Sequence, residues 1–291
     1  MIANRHGKMR AADVLGLSSV GFHRMHYYEW GDAANPRVLI CVHGLTRNGR
    51  DFDYLAQALQ DDFRVICPDV AGRGQSDWLR SKSDYGYVQY LNDMTALIAR
   101  VTDGAPREIS WLGTSMGALM GILMAALAQS PIAKLVVNDA GILVPKIALE
   151  RIALYVGKDP RFPTLDALEK HVRHVSSPFG ALTDDQWRHL TVHGAKNHED
   201  GTWGHRYDPA IGLAFQGELK DVDLSAQWGA ITCPTLILRG EHSDVLPRDA
   251  AESMTQRGPK AKLVEFPNVG HAPMLMNIEQ VRVVREFLLG R

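Results

Sequence analysis

Seven runs of strand length, most of them apolar on both alternating faces, recur along the chain with helical patterns between them. They are "MHYYEW" from Met25, "RVLICVH" from Arg37, "FRVICPD" from Phe63, "EISWLG" from Glu108, "AKLVVND" from Ala133, "PTLILRG" from Pro234 and "KLVEF" from Lys262. A strand that buries both faces belongs to a parallel sheet covered on each side, since a sheet with one wet face alternates apolar with polar residues. The intervening stretches "DFDYLAQAL", "YVQYLNDMTALIARV", "MGALMGILMAALA", "PRDAAESMTQ" and "IEQVRVVREFLL" carry helical periodicity. Alternation of this kind defines an α/β fold.

The alternation breaks between about Gly141 and Leu219, where "VPKIALERIALYV" and "LDALEKHVRHV" follow one another without strand signals. The chain therefore divides into a core built from residues 1–140 and 220–291 and an inserted helical cap over 141–219. Within that insertion, "HEDGTWGHRY" places Asp200 and Gly201 at a turn between two short strand candidates, a hairpin pattern.

The 291 residues carry a formal net charge of -1 with no long basic or acidic block, which leaves no electrostatic basis for nucleic acid or a membrane surface as partner. No apolar run reaches membrane-spanning length, and "AADVLGLSSVGF" is interrupted by Asp13. Cys41, Cys67 and Cys233 lie in or beside apolar runs with no CxxC pair, and read as reduced core thiols. The expectation is a cytoplasmic enzyme, monomer or homodimer, acting on a small molecule.

The chemistry centres on "GTSMG", Gly113 to Gly117, set between a strand and a small-residue helix. A serine on a sharp strand-to-helix turn brings backbone so close that its neighbours must lack bulk and can require positive φ. Ser115 would stand at the carboxyl edge of the sheet, while the Met116 N–H, in the first helical turn, has no partner within the helix. A serine hydroxyl needs a positioned base, usually histidine oriented by a carboxylate. "FPNVGHAP" supplies His271 after the last strand. Asp244 in "LILRGEHSDVLP" is favoured as the acid, with Glu241 its neighbour and rival; Asp139, ending a strand in "VVNDAG", is the second candidate. The second oxyanion donor is expected from "CVHGLTRNG", where His43 and Gly44 close a strand and the Leu45 N–H faces the substrate carbonyl.

These landmarks resemble the α/β-hydrolase family over nearly the whole chain: "HG" at His43, "DVAGRGQSD" from Asp69, "GTSMG", "RGEHSDVLP" and "GHAP" stand in the family's order of nucleophile, acid and histidine. The resemblance implies an eight-stranded, mostly parallel sheet with a helical cap inserted after the sixth strand, and a serine hydrolase that needs no cofactor and binds no metal. Serine at 115 separates the chain from the similar haloalkane dehalogenases and epoxide hydrolases, which use aspartate there. The chain departs from many relatives at Met276, where an acidic residue is frequent, and at Ala118, where a second glycine is.

The expected reaction is hydrolysis of a small carboxylic ester or lactone through an acyl-enzyme. Carbon–carbon hydrolysis of ring-cleavage products, perhydrolase or haloperoxidase-like chemistry, and a hydrolase-fold ligand receptor are the alternatives. Candidate substrate contacts are His43, Trp203, His205, Tyr207 and Phe215, with Trp187 and His193 as further pocket candidates. His193, His198, His205, Asp200 and Asp208 follow no metal-ligand spacing and read as a solvated hairpin.

Overall fold

The computed structural model describes residues 9–104 and 108–291. An eight-stranded sheet forms its centre, built from β1 (Arg10–Ser18), β2 (Gly21–Trp30), β3 (Val38–Val42), β4 (Arg64–Pro68), β5 (Ile109–Thr114), β6 (Ile132–Asn138), β11 (Thr235–Gly240) and β12 (Lys262–Phe266). Their spatial order is β1-β2-β4-β3-β5-β6-β11-β12. Pairing is parallel from β4 through to β12, and β2 runs antiparallel to both of its neighbours.

Strand residues alternate between two apolar layers, as burial on both faces requires. Val38, Ile40 and Val42 of β3 join one layer with α2 (Tyr87–Val101), α3 (Met116–Ala125), α7 (Ser225–Ala230) and α8 (Arg248–Thr255). Leu39 and Cys41 join the other, against α1 (Asp53–Leu59) and α9 (Ile278–Leu289). Cys41 and Cys67 are buried, Cys233 is half-buried, and none of the three is paired.

Strand β1 was not legible as an apolar run, because it is an edge strand with one wet face. Ala12, Val14 and Gly16 turn inward while Leu15 and Leu17 stand about 60% exposed. Its nine-residue register with β2 runs back from the hairpin turn after Ser18 and keeps Ala12 and Val14 on the core side.

After β6 the chain leaves the sheet and returns only at β11. Between them lie β7 (Leu143–Val144), α4 (Lys146–Ala153), α5 (Leu165–Val175), α6 (Asp184–Gly194), β8 (Ala195–Asn197), β9 (Trp203–His205) and β10 (Val222–Asp223). Strands β8 and β9 pair as an antiparallel hairpin with Gly201 at positive φ in its turn, as the Asp-Gly signal predicts. Thr183 caps α6 through a reciprocal pair with Gln186. Helices α5 and α6 bury Leu168, Val172, Trp187 and Leu190 with Met274 and Met276 from the loop after His271. Met276, the departure from many relatives, is thus an apolar anchor for this segment, and its carbonyl accepts from Gln186 Nε2 at 3.0 Å.

The turn between β5 and α3 is the tightest part of the core. A methyl group on Gly113 would stand 2.1 Å from the Gly117 carbonyl oxygen, and one on Gly117 would stand 2.1 Å from the Val42 oxygen. Both opposing atoms are backbone and cannot swing away. Gly117→Ala is expected to destabilise the protein by about 3 kcal/mol, or to lower its melting temperature by more than about 5 °C. Scanning calorimetry of the variant beside the parent checks this; an unchanged melting temperature would mean that α3 is free to slide off β3.

Candidate active site

Strand β5 ends at Thr114 and α3 begins at Met116, so Ser115 alone makes the turn, with φ 53° and ψ -115°. That left-handed backbone is uncommon for a residue with a side chain and stores strain at the point of the turn. The sequence expectation placed any positive φ at the flanking glycines; the structure places it on the serine, and the glycines are needed for close approach. The turn is held from both sides: Ser115 N–H donates to the Asn138 carbonyl at 3.0 Å, and its own carbonyl accepts from Ala118 and Leu119.

The side chain so presented meets His271. Ser115 Oγ lies 3.1 Å from His271 Nε2, and His271 Nδ1 lies 2.8 Å from Asp139 Oδ2. With Nδ1–H donating to the carboxylate, Nε2 is left as the acceptor of the serine proton. Ser115 and His271 are each partly exposed, whereas Asp139 is wholly buried.

Asp244, the favoured acid, is not part of this arrangement. Its carboxylate is 59% exposed and pairs with Arg151 of α4 at 2.6 Å. The reason lies in the turn after β11, where Ser243 N–H bonds back to the Gly240 carbonyl and directs Ser243 inward. Ser243 Oγ donates to Asp139 Oδ2 at 2.7 Å, and Gly240 N–H donates to Asp139 Oδ1 at 3.1 Å. The loop singled out in the sequence therefore contributes two donors to the buried carboxylate, and the carboxylate itself is the second candidate at the end of β6. Glu241 faces away, accepting from Asn268 N–H.

On the other side of Ser115 stands the loop after β3. A methyl group built on Gly44 would lie 3.7 Å from Ser115 Cβ, which puts the Gly44–Leu45 peptide beside the hydroxyl. His43 is buried with both ring nitrogens bound to backbone: Val70 N–H donates to Nε2, and Nδ1 donates to the Gly44 carbonyl. Burial, with Arg73 and Arg47 nearby, lowers its pKa to about 3, so the ring is neutral. His43, expected among the substrate contacts, thus spends both ring nitrogens on backbone groups that shape the loop.

Arg73 is the residue sequence reasoning passed over. It is fully buried, and among the described residues no carboxylate lies within ion-pair distance of it. Its Nε donates to the Leu45 carbonyl at 2.8 Å, its Nη1 to the Ala71 carbonyl and the Tyr90 hydroxyl at 2.8 Å each, and its Nη2 lies 3.7 Å from Met116 Sδ. One guanidinium therefore touches both residues expected to supply the oxyanion amides. The signal was present in "AGRGQ", an arginine between glycines at the end of a strand.

The other expected pocket residues are dispersed. Trp187 stacks on Phe179 in the apolar cluster of α5 and α6. Trp203 exchanges backbone hydrogen bonds with Phe162, and Phe215 packs against the main core. His205 sits between the rings of His171 and Tyr207, and its burial there lowers its pKa to about 4. Tyr207 is buried with its hydroxyl donating to the Lys158 carbonyl. Asp200 is spent on Thr202 in the hairpin turn, and Asp208 accepts from Lys82 and Tyr85. Of the histidines and aspartates weighed as metal ligands, His193 alone falls in a group of three such side chains within 4.8 Å, with Asp53 and His189. Arg50 is woven through that group: its Nε donates to Asp53 at 2.6 Å, and His189 Nε2 donates to its carbonyl at 2.9 Å. Arg50 Nη1 also lies 3.4 Å from His193 Nδ1, so this arginine contacts all three side chains.

No helix among the described residues is long and apolar enough to cross a membrane. Residues 39–283 match the model of the alpha/beta hydrolase family. The chain is 42% identical to a 3-hydroxybutyrate-oligomer hydrolase of Cupriavidus necator over 94% of its length and 96% of that protein's. It is 27% identical to a pimeloyl-[acyl-carrier protein] methyl ester esterase of Photobacterium profundum, covering 89% and 97% of the two chains. The crystal structure of an alpha/beta hydrolase from Novosphingobium aromaticivorans, 36% identical, superposes with a TM-score of 0.85 over 97% of this chain and 99% of that one. With its sheet order, its serine on a strand-to-helix turn and this extent of match, the chain belongs to the alpha/beta hydrolase family.

Proposed function

We propose that the chain is a serine esterase that cleaves small carboxylic esters, short hydroxyacyl oligomers foremost, through an acyl-enzyme. The observation that carries this reading is the unbroken path of hydrogen bonds from Ser115 Oγ through His271 to the buried carboxylate of Asp139. As Ser115 Oγ bonds to the substrate carbonyl carbon, His271 Nε2 takes its proton, and Asp139 stabilises the imidazolium through Nδ1–H. The Leu45 and Met116 amides receive the oxyanion. The proton on Nε2 then passes to the leaving alcohol, and a water activated by the same imidazole releases the acid and restores Ser115. The segment over 141–219, anchored by Met274 and Met276, serves as the cap that limits substrate size.

Arg73 has two roles in this scheme. Its bond to the Leu45 carbonyl fixes the orientation of that loop, and its uncompensated charge sets a positive potential near the developing oxyanion. Arg73→Met is expected to lower kcat by about tenfold or more while leaving KM within a few-fold, with partial recovery in Arg73→Lys. A change confined to KM would remove Arg73 from the reaction and leave it a packing residue.

The substrate class is supported by the relative that cleaves 3-hydroxybutyrate oligomers, whose likeness extends over nearly the full length of both chains. Steady-state hydrolysis of 3-hydroxybutyrate dimer and trimer, p-nitrophenyl butyrate and dimethyl pimelate distinguishes the possibilities. The oligomers are expected to give the highest kcat/KM. Preference for the pimelate ester would overturn the substrate class. In the same assay Ser115→Ala and Asp139→Asn are each expected to lower kcat by about a thousandfold or more, and Asp244→Asn to leave it unchanged. Full turnover in Ser115→Ala, or a collapse in Asp244→Asn, would overturn the assignment of roles.

A further inference from the structure

A cavity of about 460 Å³ opens where the segment after β6 meets the antiparallel edge of the sheet. It is bounded by Arg24, His26 and Tyr28, alternate residues of β2, by Arg50, by Gly74 and Gln75 of the loop after β4, by Val192 and His193 of α6, and by Arg206 just after β9. Ser115, His271 and Asp139 do not line it. Three arginines and two histidines line this space and, among the described residues, no aspartate or glutamate does.

Asp13 and Asp77, each more than 40% exposed, stand beside Arg24, and Asp13 Oδ1 lies 2.6 Å from His26 Nδ1. Arg50 is tied to Asp53 and lies over the Tyr28 ring at 5.0 Å, which holds its plane in place. Arg24 reaches Asp13 and Asp77 only at 3.4 Å each and donates to the Gln75 carbonyl at 3.1 Å. Arg206 bonds through Nε to the Ala195 carbonyl at 2.6 Å, and among the described residues no carboxylate pairs with it. The ring of His193 lies 3.4 Å from Arg50 Nη1 and is kept neutral by burial and by Arg50, His189 and Arg206, which push its pKa down to about 3. Of the three arginines in this wall, Arg206 alone has no carboxylate partner among the described residues. A guanidinium fork pairs with carboxylate or phosphate oxygens in two parallel hydrogen bonds, and such a cluster is the arrangement that selects an anion over a neutral ligand.

We infer that this cavity is a binding site for a small multivalent oxyanion, a polycarboxylate or a phosphate-bearing molecule, held between Arg24 and Arg50 of the core and Arg206 of the segment that follows β6. Its volume admits a molecule of several oxyanion groups. The Gly74 N–H donates to the Arg206 carbonyl, and Arg73, the next residue, bridges Tyr207 and holds Leu45. These contacts join Arg206 to the loop that carries Leu45.

Isothermal titration with citrate and with pyrophosphate at constant ionic strength tests the site without reference to ester turnover. Saturable binding is expected for at least one of them, weakened about tenfold or more in Arg206→Gln and in Arg24→Gln. Binding of citrate alone identifies a polycarboxylate ligand, of pyrophosphate alone a phosphate-bearing one, and of both a site selecting charge. Arg24 is half-exposed, so its variant keeps the test decisive if Arg206→Gln does not fold. No saturable binding of either anion up to about 10 mM, or unchanged binding in folded variants, would overturn the proposal.

Discussion

The close approach of α3 to the sheet governs the rest of this molecule. The Gly117 backbone lies against the Val42 carbonyl and Gly113 against Gly117, so strand, turn and helix touch without intervening side chains. Trp111 locks the contact from below, its indole N–H donating to the Gly117 carbonyl at 3.0 Å. With the helix seated this deeply, Ser115 has no room for ordinary backbone geometry and is driven to positive φ. The strain is offset by the packing of α3, whose small residues and methionines are buried almost throughout.

Around that turn, the polar groups are arranged by burial rather than by exposure to a ligand. Asp139 has no contact with solvent and receives three donors, from His271, Ser243 and Gly240. A buried carboxylate satisfied in this way remains a strong acceptor, and it fixes the imidazole in one tautomer. Arg73 stands at the opposite extreme: a buried cation satisfied by two carbonyls and a hydroxyl, with no opposing charge among the described residues. The proposed reaction draws on both, since a carboxylate behind the base and a cation behind the oxyanion loop favour the charge separation that builds during attack.

The joint between the sheet and the segment after β6 follows a different logic. Apolar contact is made where Met274 and Met276 meet Trp187 and Leu190, and where Val156, Tyr207 and Ile211 join the main core. Elsewhere the two parts meet through Arg50, Asp53, His189 and His193 and through the cationic cavity beside them. Contacts between charged groups at such a joint are weakened by salt, whereas apolar contacts are not.

Much of the architecture was determined by the sequence alone. Runs that are apolar on both faces dictate a covered parallel sheet, and a serine between glycines after a strand dictates a tight turn, because both follow from local periodicity and sterics. The Asp200–Gly201 hairpin was legible for the same reason. Strand β1 was not, because an edge strand gains its place from pairing with β2 and carries little apolar signal. The choice between Asp139 and Asp244 belonged to the tertiary structure. Both follow strands that end at the same edge of the sheet, and which one reaches His271 depends on a turn after β11 that points Ser243 inward and Asp244 out toward Arg151. That turn and the His271 loop meet at Asp139, which stands more than a hundred residues before either of them in the chain, so no local pattern encodes the meeting.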